Sequence, residues 1–169
     1  MSWDAYVNAY LTNIVDQNTG KTAYNVCDTS GIFSNANGVT WAATPGFGLL
    51  TYQATLENDD GTTKSAEVNE FNNLLNTFNS NGQCTLPGGV RLNNEKYFVV
   101  SFDGNAGLLY LKKAGGGACV ARTGQAFVIG TFSTAKKLTN FNGVQEPQNA
   151  GFTNRACEGL QNILANLNL

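Results

Sequence analysis

Residues 87–132 read PGGVRLNNEKYFVVSFDGNAGLLYLKKAGGGACVARTGQAFVIGTF, and this stretch decides the fold. Its apolar runs cover 97–102, 108–111, 118–120 and 126–132, each of strand length. Between them stand DGNAG, AGGG and TG, whose Gly, Asn and Asp tolerate the positive φ a chain needs to reverse on itself. β-branched and aromatic runs cut by glycine turns at roughly ten-residue spacing predict an antiparallel meander. The segment KKAGGG, 112–117, has the look of a phosphate-binding glycine loop, but that motif needs GxxxxGK[ST] between a strand and a helix. Here the lysines precede the glycines and a strand follows, so a hairpin turn is expected.

The whole chain of 169 residues fits one domain able to bury a core without staples. No run of about eighteen apolar residues is present, so no membrane-spanning helix is expected. The start, MSWDAYVNAYLTNIVDQ, lacks a basic leader region and carries Asp4, which argues against a secretory signal and for a cytoplasmic location. Cys27, Cys84, Cys119 and Cys157 are scattered with no CxxC pair, as reduced core residues would be. The chain has no histidine, which removes imidazole bases, His-ligated zinc and the usual hydrolase triads. No carboxylate pair, activated nucleophile or metal-ligand cluster stands out, so neither a cofactor, a metal nor an enzymatic activity is expected. Charge is polarised along the chain: Lys21 and Lys64 are the only basic residues before position 91, and the remaining eight follow from there. That half offers either a cationic surface steering an acidic partner or a plain solvated strand face.

Outward from the meander, Ser2 is placed to cap a helix whose Trp3, Tyr6, Val7, Tyr10, Leu11 and Ile14 share one face. Residues 16–30 read as a loop with a short strand at 22–26. Asn37-Gly38 between 31–34 and 39–43 signals a hairpin, with Trp41 on its second strand. Residues 49–56 and 62–64 flank Asn58-Asp59-Asp60-Gly61 as a second hairpin with an acidic tip. A helix is expected to open at Ser65 with Val68, Phe71, Leu74, Leu75 and Phe78 inward. Residues 133–149 are polar and aperiodic and read as an extended surface loop. The end is helical, with Phe152, Ala156, Leu160, Ile163, Leu164 and Leu167 on one face.

Taken in order, MSWDAYV at 1–7, VTWA at 39–42, KYFVV at 96–100, KK before GGG at 112–117, TGQAFVIG at 123–130 and the final helix resemble the profilin family. The chain is longer than typical members, and its 49–64 hairpin is similar in position to one inserted in apicomplexan profilins. Asn93-Asn94 stands where the family usually has Gly-Gly. The resemblance implies an α/β fold of the α+β type: a central antiparallel β-sheet, terminal helices packed on one face and smaller helices on the other. It also implies a monomeric, non-enzymatic regulator of actin filament assembly, working in the cytoplasm and cytoskeleton.

Two sites follow from that resemblance. Trp3, Tyr6, Trp41, Ile163, Leu164 and Leu169 would form a cleft for proline-rich segments of assembly factors. A polyproline II ligand is already extended, its rings stack on aromatics, and indole and phenol groups donate to its carbonyls. Ile163 and Leu169 lack the donors that other members carry there, so weakened or altered proline binding is expected. Lys96, Lys112, Lys113, Arg122, Asn154 and Glu158 would meet monomeric actin, and the same lysines an anionic phosphoinositide. The competing reading is a small sensor or scaffold domain that holds a small molecule or protein partner, its aromatics serving only as core.

Overall fold

The computed structural model describes residues 1–84 and 86–169. Helix α1 (Trp3–Val7) runs into a π-helical turn (Asn8–Thr12), and the Ser2 side chain accepts from the Ala5 N–H at 3.1 Å. Strands β1 (Ile14–Val15) and β2 (Thr22–Ala23) pair, followed by β3 (Ser30–Ser34) and β4 (Thr40–Ala43). Then come β5 (Thr51–Glu57), β6 (Thr63–Asn69), α2 (Glu70–Asn79), β7 (Val90–Leu92) and β8 (Glu95–Asp103). The rest is β9 (Leu108–Lys113), β10 (Gly116–Arg122), β11 (Ala126–Ser133), β12 (Lys137–Thr139), β13 (Gln145–Pro147) and α3 (Ala150–Asn166).

The meander expected from 87–132 forms the centre of an antiparallel sheet ordered β4-β3-β11-β10-β9-β8-β7. Side-chain alternation splits this sheet into two apolar layers. On one face Ile32, Ala42, Cys119, Ala121, Ala126 and Val128 meet Val7 and Leu11 of the first helical segment and Ala156, Cys157, Leu160 and Leu164 of α3. On the other face Phe33, Leu109, Leu111, Val120, Phe127 and Ile129 meet Leu74 and Phe78 of α2. The terminal helices therefore share one face and α2 covers the other, as expected. Helix α3 lies close on β11 because Gly130 has no side chain: a Cβ there would sit 2.8 Å from Cys157 Sγ and 3.0 Å from Cys27 Sγ. Cys27, Cys119 and Cys157 are buried free thiols, and burial pushes Cys27 up to about 12, so they pack as small apolar groups.

Three elements depart from the sequence reading. The first helix does not reach Ile14: the Asn13 N–H bonds Asn8 O at 3.2 Å, closing a wider turn, and Ile14 begins a strand. The helix expected from Ser65 begins at Glu70 instead, because 63–69 pairs in register with 51–57 and the Asn69 side chain caps Asn72 N. Lys64, Ala66 and Val68 grade from exposed to buried at period two, a strand signal that the helical apolar spacing from Val68 onward masks. The 133–149 segment carries a short hairpin, β12 with β13, tied back by a bridge from Thr139 to Tyr24.

The protruding β5–β6 hairpin is fastened by one carboxylate. Glu70 is 0% exposed. Its Oε1 accepts from Leu50 N (2.8 Å) and Asn93 N (2.8 Å), its Oε2 from Asn94 N (2.7 Å) and Tyr52 Oη (2.8 Å). Asn93 and Asn94, at φ 52° and 64°, form the two-residue turn between β7 and β8 that a glycine pair would otherwise supply. Glu70→Gln replaces one acceptor oxygen with an amide that faces two donors. It should cost about 3 kcal/mol by urea denaturation, with Asn93 and Asn94 amides exchanging faster. Tyr52 is pushed up to about 12, first by burial and then by its bond to Glu70. Its folded value exceeds the unfolded one, so its contribution is intact below about pH 10 and lost as pH rises through about 12. Tyr52→Phe should reduce the loss of stability measured across that window.

Candidate functional site

Helix α1 and the π-helical turn after it are laid across β3 and β4 by Val7 and Leu11, which are buried, and this leaves Trp3, Tyr6 and Tyr10 along their outer flank. Trp41 rises from β4 to meet them. The rings form a ladder: Trp41 to Trp3 is 4.7 Å between centroids, Trp3 to Tyr6 is 5.4 Å, and Tyr6 to Tyr10 is 5.6 Å. All four are only partly buried and rest on the core beneath them. Among the described residues no intramolecular hydrogen bond uses the Trp3 or Trp41 indole N–H or the Tyr6 or Tyr10 hydroxyl. The ladder thus combines apolar faces with unspent donors.

Ile163 and Leu169 pack against the same core as the ladder and are partly exposed. Leu169 is held by its carbonyl, which accepts from Thr123 Oγ1 at 2.8 Å and from the Gln125 amide. Leu164 is 0% exposed, so it supports this surface from beneath and has no face to offer a ligand. The sequence reading missed Tyr10 as a member of the row; its spacing from Tyr6 was the signal.

The ladder opens at Tyr10 and Ile163 into a groove of about 720 Å³ between α3 and the β1 segment. The Asp16–Arg155 ion pair, at 3.8 Å, stands at this groove, and the Arg155 guanidinium stacks on Phe141 at 4.7 Å. Gly159 also lines it. A Cβ at Gly159 would meet nothing within 4 Å, yet glycine inside a helix costs about 1 kcal/mol relative to alanine.

The basic set divides. Lys112 shares a sheet face with Tyr110 and borders a second groove of about 320 Å³ lined by Val100, Ser101, Tyr110, Phe132 and Asn154. Tyr110 Oη donates to Glu158 Oε1 at 3.2 Å, and burial together with the Glu158 charge pushes this phenol up to about 12, so it stays a neutral donor. Lys96 stacks on Phe98, 5.1 Å from the ring, and Phe98 lies opposite Lys112 in register. Lys113 points to the α2 face, where it pairs with Glu95 at 3.5 Å and covers Tyr97 at 5.5 Å. Arg122 also lies on that face, over Phe127 at 5.9 Å, at the opposite end of β10 from Gly116, roughly 20 Å along the strand. Lys96, Lys112, Asn154 and Glu158 thus share one side, and Lys113 and Arg122 do not join them. Phe98 (50% exposed) and Val100 (58% exposed) belong to this side and escaped the sequence reading. In the unbroken apolar run 97–100 only pairing shows which side chains face out.

These surfaces sit on a known architecture. Acanthamoeba castellanii profilin IA aligns over 99% of this chain and 100% of its own, with TM-score 0.66 and 18% identity. Schizosaccharomyces pombe profilin aligns over the same shares, with TM-score 0.63 and 21% identity. In sequence, the profilin of Tetrahymena pyriformis is 40% identical over 161 residues, covering 94% of this chain and 92% of that protein. The profilin family profile matches residues 1–169. With the family matched over its full length and the fold shared with solved members, the chain belongs to the profilin family of actin-binding proteins.

Proposed function

We propose that this protein binds monomeric actin through the side formed by β8, β9 and the start of α3, binds proline-rich segments along the aromatic ladder, and so regulates filament assembly. The observation that carries the reading is the ladder itself, four partly exposed rings whose polar hydrogens are unspent, resting on the same core as the C-terminal residues Ile163 and Leu169. A polyproline II segment loses little entropy on binding, and its carbonyls lack internal partners, so stacking and donation act together. The actin-facing side combines the exposed apolar Phe98 and Val100 with Lys96 and Lys112, a surface suited to an acidic partner. The protein acts by holding two partners rather than by chemistry, in the cytoplasm alongside the actin cytoskeleton. Helix α3 separates the two surfaces, so both ligands fit at once. Phosphoinositide binding finds less support, because Lys112 and Lys113 diverge to opposite faces and about 1 kcal/mol per basic residue needs several together.

Trp3→Ala should weaken binding of a decaproline peptide by about 2 kcal/mol, roughly thirtyfold, in calorimetry, with actin affinity unchanged. Unchanged peptide binding by the folded variant would rule the ladder out as the proline site. On the other side, Lys112→Glu should weaken actin binding about tenfold at low salt, whereas Arg122→Glu should change it by less than about twofold. Equal effects of the two substitutions would show that actin does not meet this side.

A further inference from the structure

We propose that the outer edge of β5 is a docking edge for an extended basic segment of a protein partner, which adds to the β5–β6 ribbon as a third strand. Three observations carry the inference, and none involves the ladder or the β8–β9 side. The first is the hydrogen-bond pattern of the ribbon. Asn58 N–H donates to Thr62 O at 2.7 Å and Glu70 N–H to Leu50 O at 3.0 Å, so the even-numbered residues of β5 turn their backbone groups toward β6. Thr51, Gln53, Thr55 and Glu57 therefore turn theirs outward. Among the described residues none of these four amides has an intramolecular partner, and β5 pairs with β6 alone. The side chains of the same four residues are exposed as well.

The second observation is that this edge is open and already ordered. Among the described elements β6 is the one that β5 packs closely against, whereas β6 also meets α2. The ribbon is held at its base by Glu70 and at its tip by Asp60, whose Oδ1 accepts from Thr62 N (2.9 Å) and Thr62 Oγ1 (2.5 Å). A preformed edge loses little entropy when a strand adds to it, and the main-chain bonds of the new ladder supply affinity. Charge, the third observation, selects the occupant. Residues 51–69 carry Glu57, Asp59, Asp60 and Glu67 against one base, Lys64. Glu57 and Glu67 share the exposed side of the ribbon, and Asp59 and Asp60 continue it at the tip. Two copies of so acidic a ribbon repel each other, whereas lysines or arginines at every second position of an added strand meet these carboxylates. The residues between them point the other way, beside the partly exposed Tyr52 and Ala54, and are apolar. The occupant is therefore a strand of alternating basic and apolar residues.

The test titrates the full, isotope-labelled chain with a peptide of about nine residues alternating lysine and valine, long enough to span β5. The Thr51, Gln53, Thr55 and Glu57 amides should shift and exchange more slowly, and binding should weaken as salt rises. The same peptide with every backbone amide methylated keeps its charge but cannot complete the ladder, and should bind at least about tenfold more weakly. Thr55→Pro removes an outward N–H without touching the β5–β6 ladder and should weaken binding by a similar factor. Ser65→Pro does the same on the outer edge of β6 and should leave binding unchanged. Glu57→Lys, which leaves the backbone as it is, should weaken binding about fivefold at low salt. Unperturbed amide signals from the central meander show that each variant is folded. Equal binding by the methylated peptide, or equal effects of the two proline substitutions, overturns strand addition at β5. No binding at low salt, or self-association of the chain that Thr55→Pro removes, overturns the basic partner.

Discussion

The close approach of α3 to the sheet at Gly130 is the constraint on which the other features depend. With no side chain on that residue, Cys157 of α3, Cys27 and Thr153 all come within 3.3 Å of the place a methyl would occupy. The helix is then pinned at both ends, by Asn149 capping Phe152 N and by the Leu169 carbonyl bound to Thr123. Thr153 Oγ1 donates to Val26 O, which ties the same helix to the loop before β3. A helix seated this low turns opposite flanks to the solvent, and each flank borders one of the two surfaces. Glu158 reaches Tyr110 on one side, and Ile163, turned roughly 140° around the axis, lines a groove with Tyr10 on the other.

The two surfaces use different physics. The ladder is apolar with isolated donors, so in the proposed role its binding energy would come from ring contact and from carbonyls that the ligand cannot satisfy internally. The β8–β9 side mixes exposed apolar groups with lysines, and in the proposed role its charges would act chiefly on encounter and register. The Tyr110 phenol, kept neutral far above physiological pH, holds Glu158 without altering the local charge. Glu70 plays the matching role for the β5–β6 hairpin: one carboxylate supplies acceptors to three backbone amides and a phenol, which fixes an otherwise isolated two-stranded ribbon.

Much of this was legible in the chain. The meander followed from glycine turns between apolar runs, and the terminal helices from their apolar spacing. The ladder was legible in part, because Trp3 and Tyr6 fall on one helical face and Trp41 on a strand. Other features needed three dimensions. Residues 63–69 are strand because pairing with 51–57 buries Val68 and Leu56, a gain no local window contains. Lys112 and Lys113 look like one cationic pair in sequence, yet strand alternation sends them to opposite faces. Leu164 matches a cleft position in sequence but lies under the surface it was expected to form. Gly159 carries no sequence signal at all, since only the structure shows that nothing crowds it.

The most direct measurement uses the intrinsic fluorescence of Trp3 and Trp41, the only two tryptophans in the chain. Both are rings of the ladder, 4.7 Å apart, so a ligand seated there must change their surroundings. Titration with decaproline should give a saturable spectral change that a glycine-serine peptide of equal length does not. A spectrum indifferent to decaproline up to millimolar concentration would contradict the assignment of the ladder as the proline site.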